Sequence, residues 1–184
     1  MEFFSFFVNL NLNNKIKNAK NKYMKILKGG KVMKVNECMC NDVCCVKPED
    51  NVENVAKVMC NNHIGCVPVC DSNNCICGIL TDRDIILRAI ACDKDVKSTK
   101  VSDIMSTNVC TCKQDEEVSN VETKMANNQI RRLPVCNEKN QVIGILTIGN
   151  LANHDNQIGK NEVCTTIANI CDLMVKQKML SNKT

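Results

Sequence analysis

Two short stretches carry residue types suited to holding a charged small molecule. Gly78-Ile79-Leu80-Thr81-Asp82-Arg83-Asp84 ends an apolar run in a hydroxyl and, three residues on, a carboxylate; Gly144-Ile145-Leu146-Thr147-Ile148-Gly149-Asn150 repeats the frame with an amide in the carboxylate's place. A threonine where a strand passes into a helix sets its hydroxyl beside free backbone N–H groups, which suits a phosphate oxygen. Asp84, about one helical turn further on, can accept hydrogen bonds from two ribose hydroxyls, and Gly78 permits close backbone approach. The same residues also read as a plain helix start, with Thr81 and Asp82 as caps and Asp84 as an acid facing the helix dipole. Arg83 in the first stretch, and Arg131 and Arg132 ahead of Leu133-Pro134, read by themselves as solvated surface charges.

The elements that must position these residues emerge from an internal duplication. Sliding the chain by 66 residues superposes Val35 on Val101, Met39 on Met105, Val52 on Val118, Met59 on Met125, Pro68-Val69-Cys70 on Pro134-Val135-Cys136 and Gly78–Thr81 on Gly144–Thr147, without a gap. Within each copy a short β-like run (Val43–Val46, Val109–Cys112) leads through a polar turn to a helical stripe, Val52, Val55, Ala56 and Met59 in the first copy. Strands Cys66–Cys70 and Ile76–Leu80, and Leu133–Cys136 and Val142–Leu146, then flank short polar turns as hairpins. A helix from Asp82 to about Ala91 follows, with Ile85, Ile86, Ala89 and Ile90 as its apolar face. Each copy is therefore β-α-β-β-α, too small to bury its own apolar faces, and two must pack together. Beyond them Val163, Ile167, Ile170 and Met174 predict a terminal helix over 161–179 that covers the core or receives a partner.

Composition restricts the functions available. The 184 residues fit one domain or a pair of small ones, and no apolar run reaches the roughly 20 residues of a membrane span. The net charge of +4 is concentrated in residues 1–32, which hold seven Lys against one Glu; the remainder has 17 basic and 19 acidic residues. No basic stripe is left to neutralise a run of phosphates, so nucleic acid is not an expected partner. All five aromatic residues also lie in that leader, whereas all 15 Cys follow residue 37. Residues 1–32 read as a leader outside the fold, disordered or a mis-assigned start: Lys28–Val32 back-translates to a purine-rich stretch ahead of Met33, where translation is expected to begin.

The cysteines lack the paired C-x₂₋₄-C spacing of a structural zinc site, occurring instead as Cys38/Cys40, Cys75/Cys77, Cys110/Cys112 and adjacent Cys44 and Cys45. In a strand an i,i+2 pair shares one face, where Cys acts as a small buried hydrophobe. A cysteine-based metal or redox sensor is the alternative to that structural role. Two histidines, His63 and His154, at non-repeated positions offer no nucleophile–base pair, and no P-loop or HExxH pattern occurs, so no enzyme is expected.

The two Gly-Ile-Leu-Thr motifs, the Pro-Val elements and the Asp103–Ser106 stretch resemble cystathionine-β-synthase-type (CBS) domains over about residues 35–152. The chain looks like a stand-alone bacterial tandem pair. The resemblance implies an α+β fold of two β-α-β-β-α repeats, 35–92 and 101–154, related by a pseudo-two-fold axis and followed by the terminal helix. It implies a cytoplasmic, homodimeric regulatory module without catalysis or an obligatory cofactor, acting on an unidentified protein. Its ligand would be AMP, ADP or ATP, with S-adenosylmethionine as a further candidate, held in a cleft between the repeats. The implied ligand residues are Thr81, Asp84, Arg83 and Gly78, with Arg131 and Arg132 turned toward the shared cleft. Thr147 and Asn150 form the second motif, whose amide can meet a ribose but carries no charge. Val43, Cys45, Ile64, Val67 and Pro68 are candidates for the adenine, each with a core role as the equal alternative.

Overall fold

The computed structural model describes residues 32–154 and 163–170. The expected leader, Val32 apart, lies outside the described residues, as do parts of the terminal helix; within its range, 163–170 is helical. In the first repeat α1 (Val52–Asn61) precedes the hairpin β1 (Cys66–Cys70) and β2 (Ile76–Thr81), followed by α2 (Asp82–Arg88). In the second, β3 (Cys112–Lys113) precedes α3 (Val118–Asn128), the hairpin β4 (Arg132–Cys136) and β5 (Val142–Thr147), and α4 (Ile148–Asn153). Each hairpin is antiparallel, pairing Val67 with Leu80 and Leu133 with Leu146, and each turn closes on an Asn with positive φ, Asn74 at 62° and Asn140 at 61°. Asparagine tolerates that left-handed conformation better than most residues.

The expected strand at the head of each repeat is much reduced. In the first repeat only Val46 bridges to Val69, and in the second β3 pairs in parallel with β4 through Cys112–Val135 and Lys113–Cys136. The predicted helix from Asp82 stops at Arg88, and a 3₁₀ turn over Ile90–Cys92 takes its place.

The segment ahead of each repeat packs on the other repeat. Val35 donates its N–H to Glu116 O at 3.0 Å and Val101 to Asp50 O at 2.9 Å; Asn36 donates to Gln114 O at 2.9 Å and Ser102 to Pro48 O at 3.0 Å. Cys40 exchanges two 2.9 Å hydrogen bonds with Ile145, and Ser106 exchanges two of 2.9 Å with Ile79. Adding 66 to one member of each pair and subtracting it from the other gives the second pair, so the two halves are related by a pseudo-two-fold exchange. The cores follow the same crossing. Met33, Val35 and Cys38 lie among Val121, Met125, Leu133 and Leu146 of the second repeat, together with Val163 and Ile170 of the terminal helix. Val101 and Ile104 lie among Val55, Val67, Val69 and Leu80 of the first. Val35 and Val101 are wholly buried, and each contributes about 1.5–3 kcal/mol by leaving water, so neither half is complete without the other's leading segment.

Two glycines make room for the crossing. A Cβ on Gly78 would run into the Met105 side chain, and one on Gly144 would stand 2.8 Å from the Cys40 carbonyl oxygen and 3.1 Å from Met39 Sδ. Gly78 thus clears space for the exchanged segment. The obstacle at Gly144 includes backbone held by the Cys40–Ile145 hydrogen bonds, whereas the obstacle at Gly78 is a flexible thioether. Gly144→Ala should therefore lower unfolding stability by about 1–3 kcal/mol, the usual range for overpacking, and Gly78→Ala by clearly less. Urea denaturation of the two variants checks this, and equal losses would contradict the assignment.

Candidate functional site

The exchange leaves a cleft of about 400 Å³ between the repeats. The first repeat supplies Asp42, Val43 and Cys44 from the run leading to Val46, and His63, Ile64, Gly65 and Cys66 from the turn between α1 and β1. The second supplies Arg131 and Arg132 at the head of β4, Ile145 and Thr147 at the end of β5, and Ile148 and Gly149 at the start of α4. Local backbone chemistry explains these placements. His63 has φ 52° and ends the first helix in the left-handed conformation, as its repeat mate Gln129 does with φ 56°. The hairpin register pairs Arg132 with Thr147, which brings guanidinium and hydroxyl to the same end of one sheet.

Thr147 and Asn150 cap α4 reciprocally. Asn150 Oδ1 accepts from Thr147 N at 2.9 Å and from Thr147 Oγ1 at 2.7 Å, and Asn150 N donates to Thr147 Oγ1 at 3.1 Å. Thr81 and Asp84 repeat the arrangement on α2: Asp84 Oδ2 accepts from Thr81 N at 3.0 Å and Thr81 Oγ1 at 2.6 Å, and Asp84 N donates back at 3.1 Å. The amide replaces the carboxylate without loss because this cap needs one acceptor oxygen and both side chains have it. The carboxylate differs in its second oxygen: Asp84 Oδ1 lies 3.3 Å from Arg88 Nη2, and Arg88 Nη1 donates to Ile104 O at 2.7 Å and Ser106 Oγ at 3.1 Å. Asp84 is thereby tied to the segment exchanged from the second repeat.

Among the sequence candidates, Val43, Ile64, Arg131, Arg132 and Thr147 meet at the cleft, with Asn150 one hydrogen bond behind Thr147. Thr81, Asp84 and the exposed Arg83 are not among its lining residues, and Gly78 lies against Met105. Val67 and Pro68 are buried in the first repeat, where Val67 belongs to the core; Cys45 packs into a separate seam with Cys70 and Cys136. Asp42, Cys44, His63, Gly65, Cys66, Ile145, Ile148 and Gly149 also line the cleft and were not among the candidates. A signal for two of them exists in the sequence: Ile148-Gly149 stand where the first repeat has Asp82-Arg83, removing two charged side chains from this wall.

The electrostatics are set by Arg131 and Arg132 against Asp42. Asp82 of the first motif approaches the same centre, its Oδ2 only 2.7 Å from where a Gly65 Cβ would stand, with Arg132 Nη2 3.6 Å from that point. Burial pushes the Cys66 thiol up to about 11 despite the nearby Arg132, so this sulfur is a neutral thiol in the wall at neutral pH. Among the described residues, no group of three or more His, Cys, Asp or Glu is arranged to hold a metal ion, and the metal-sensor alternative gains no support there. No helix among the described residues is long and apolar enough to cross a membrane.

Comparison with known proteins accords with this geometry. The CBS domain family matches residues 35–90 and 101–156. The CBS domain-containing protein YhcV of Bacillus subtilis (strain 168) is 33% identical over 136 residues, covering 74% of this chain and 94% of that protein. The inosine-5'-monophosphate dehydrogenase of Methanocaldococcus jannaschii is 35% identical over 117 residues, which are 64% of this chain and 22% of the enzyme. The CBS domain pair of protein MJ0100, solved with 5'-methylthioadenosine and S-adenosyl-L-methionine, superposes with a TM-score of 0.62 at 25% identity, covering 68% of this chain and 98% of that one. Both repeats are matched and a relative is spanned nearly end to end, so the chain belongs to the CBS domain family and carries two CBS domains in tandem.

Proposed function

We propose that the protein is a regulatory module that binds an adenosine-containing, phosphate-bearing ligand in the cleft between its repeats and catalyses no reaction of its own. The observation that carries this reading is the joint presentation of Arg131, Arg132 and Thr147 opposite Val43 and Ile64. Guanidinium groups form strong charge-assisted hydrogen bonds with phosphate, and the apolar side chains suit a purine face. Thr147 and the Asn150 amide behind it are the nearest hydrogen-bonding groups for a ribose. The adenosine moiety common to both ligands of MJ0100 supports the same class. The guanidinium groups of Arg131 and Arg132 give a phosphate its partners, so AMP, ADP and ATP come first, ahead of S-adenosylmethionine.

Stand-alone action on a separate regulated protein, in the cytoplasm and as a homodimer, belongs to the same reading. The exposed apolar side chains of Ile86 and Leu87 on α2 and of Ile90 just beyond it support self-association.

On this account AMP, ADP or ATP at one hundred times its Kd raises the thermal midpoint by about 5–10 °C. Ile148→Trp, which fills the cleft from the rim, should leave a cooperative unfolding transition and remove the nucleotide shift. Asp84→Ala should cost about 0.5–2 kcal/mol through the lost cap and keep the shift. A differential scanning series over the three proteins checks both. No shift with any nucleotide would refute the reading; a shift abolished only by Asp84→Ala would move the ligand to the first motif.

A further inference from the structure

The backbone frame at the two motifs is the same, and the side chains it carries are opposite in charge. Asp82, the first residue of α2, donates its N–H to Gly65 O at 3.3 Å; 66 residues on, Ile148, the first of α4, donates to Arg131 O at 3.0 Å. Each motif is thereby tied to the start of its own hairpin. In the first repeat that tie joins a glycine to an acid, and in the second an arginine to an isoleucine.

The glycine and the acid belong together. A Cβ on Gly65 would stand 2.7 Å from Asp82 Oδ2 and 3.3 Å from Asp82 Cγ, so the bare glycine lets the carboxylate lie over this backbone. The other oxygen is held, Oδ1 accepting from Arg83 N at 2.7 Å. Arg132 Nη2 reaches the same place from the second repeat, 3.6 Å from that Cβ position. Asp82 and Arg132 thus face each other over Gly65, where Gly65, Cys66, Arg131 and Arg132 line the cleft. The Cys66 thiol, raised chiefly by burial, is pulled down by Arg132 and pushed up by Asp84 and Asp82, which sets these charges around one sulfur. Asp82 and Arg132 are both exposed, so their attraction is screened and leaves the guanidinium able to turn to a stronger anion.

We propose that Asp82 is a specificity-determining carboxylate, which sets the phosphate preference of the cleft by turning it toward AMP and away from ATP. This inference rests on the binding reading above and deepens it. A phosphate drawn to Arg132 comes close to the Asp82 carboxylate, and like charges repel in proportion to their product. A triphosphate brings more negative charge into that field than a monophosphate does, and adenosine brings none. The second repeat, with Ile148 in the place of Asp82, exerts no such repulsion from its own motif. Asp42, on the run leading to Val46, is the acid among the cleft's lining residues and the competing source of the same effect.

The test is calorimetric titration of the full chain with adenosine, AMP and ATP in magnesium-free buffer of low ionic strength. Asp82→Asn keeps an oxygen for Arg83 N and removes the charge. It should tighten ATP binding about fivefold and AMP binding about twofold, leave adenosine unchanged, and lose both gains in about 0.5 M salt. An ATP-to-AMP affinity ratio equal in the wild-type chain and Asp82→Asn, or one that shifts only with Asp42→Asn, would overturn the proposal and leave nucleotide binding standing. A wild-type chain that binds none of the three would instead refute the binding reading, and this inference with it.

Discussion

The structure depends on a trade of leading segments. Residues 33–40 complete the core of the second repeat and residues 99–106 that of the first, and the hydrogen bonds of one crossing reappear in the other. A β-α-β-β-α unit of this size has more apolar face than it can cover. Here each unit closes its core with a strip of chain from its neighbour, so folding either half requires both. Gly78 and Gly144 mark where the strips pass over the hairpins, with the Met105 side chain lying over the first and the Cys40 backbone over the second.

The cleft is a consequence of that trade. Exchange fixes the two hairpins head to head, with Gly65-Cys66 of one repeat beside Arg131-Arg132 of the other, and both repeats bring charged and apolar side chains to the space between them, Asp42, Val43 and Ile64 from the first and Arg131, Arg132, Ile145 and Ile148 from the second. The repeats differ both at this space and behind it. Asp82-Arg83 has become Ile148-Gly149, and the Asp84–Arg88 ion pair has become Asn150 and His154, the latter with Nδ1 2.9 Å from the Asn150 carbonyl oxygen. A charged cap bound to the exchanged segment therefore stands on one side of the pseudo-axis and a neutral one on the other.

Much of this was legible in the residues themselves. The duplication, both hairpins and the helix that follows each could be read because alternation and the helical stripe respond directly to burial. The exchange could not. Val35 and Val101 occupy equivalent positions, and packing Val35 on its own repeat or on the other buries the same residue types, so the pattern is blind to the choice. Asp84 is the better ribose ligand by charge, yet its oxygens are engaged by Thr81 and Arg88, and the cleft found is lined by Thr147. Val67 and Pro68 share a strand with Cys66, which lines the cleft, but sit deeper, a difference of depth that spacing alone does not encode.

The most direct test of the account is a crystal structure of the full chain grown with ADP. The account predicts phosphate oxygens within hydrogen-bonding distance of Arg131 or Arg132, the adenine against Val43 and Ile64, and both exchanged segments in place. A nucleotide bound away from Arg131 and Arg132, or leading segments folded back on their own repeats, would contradict it.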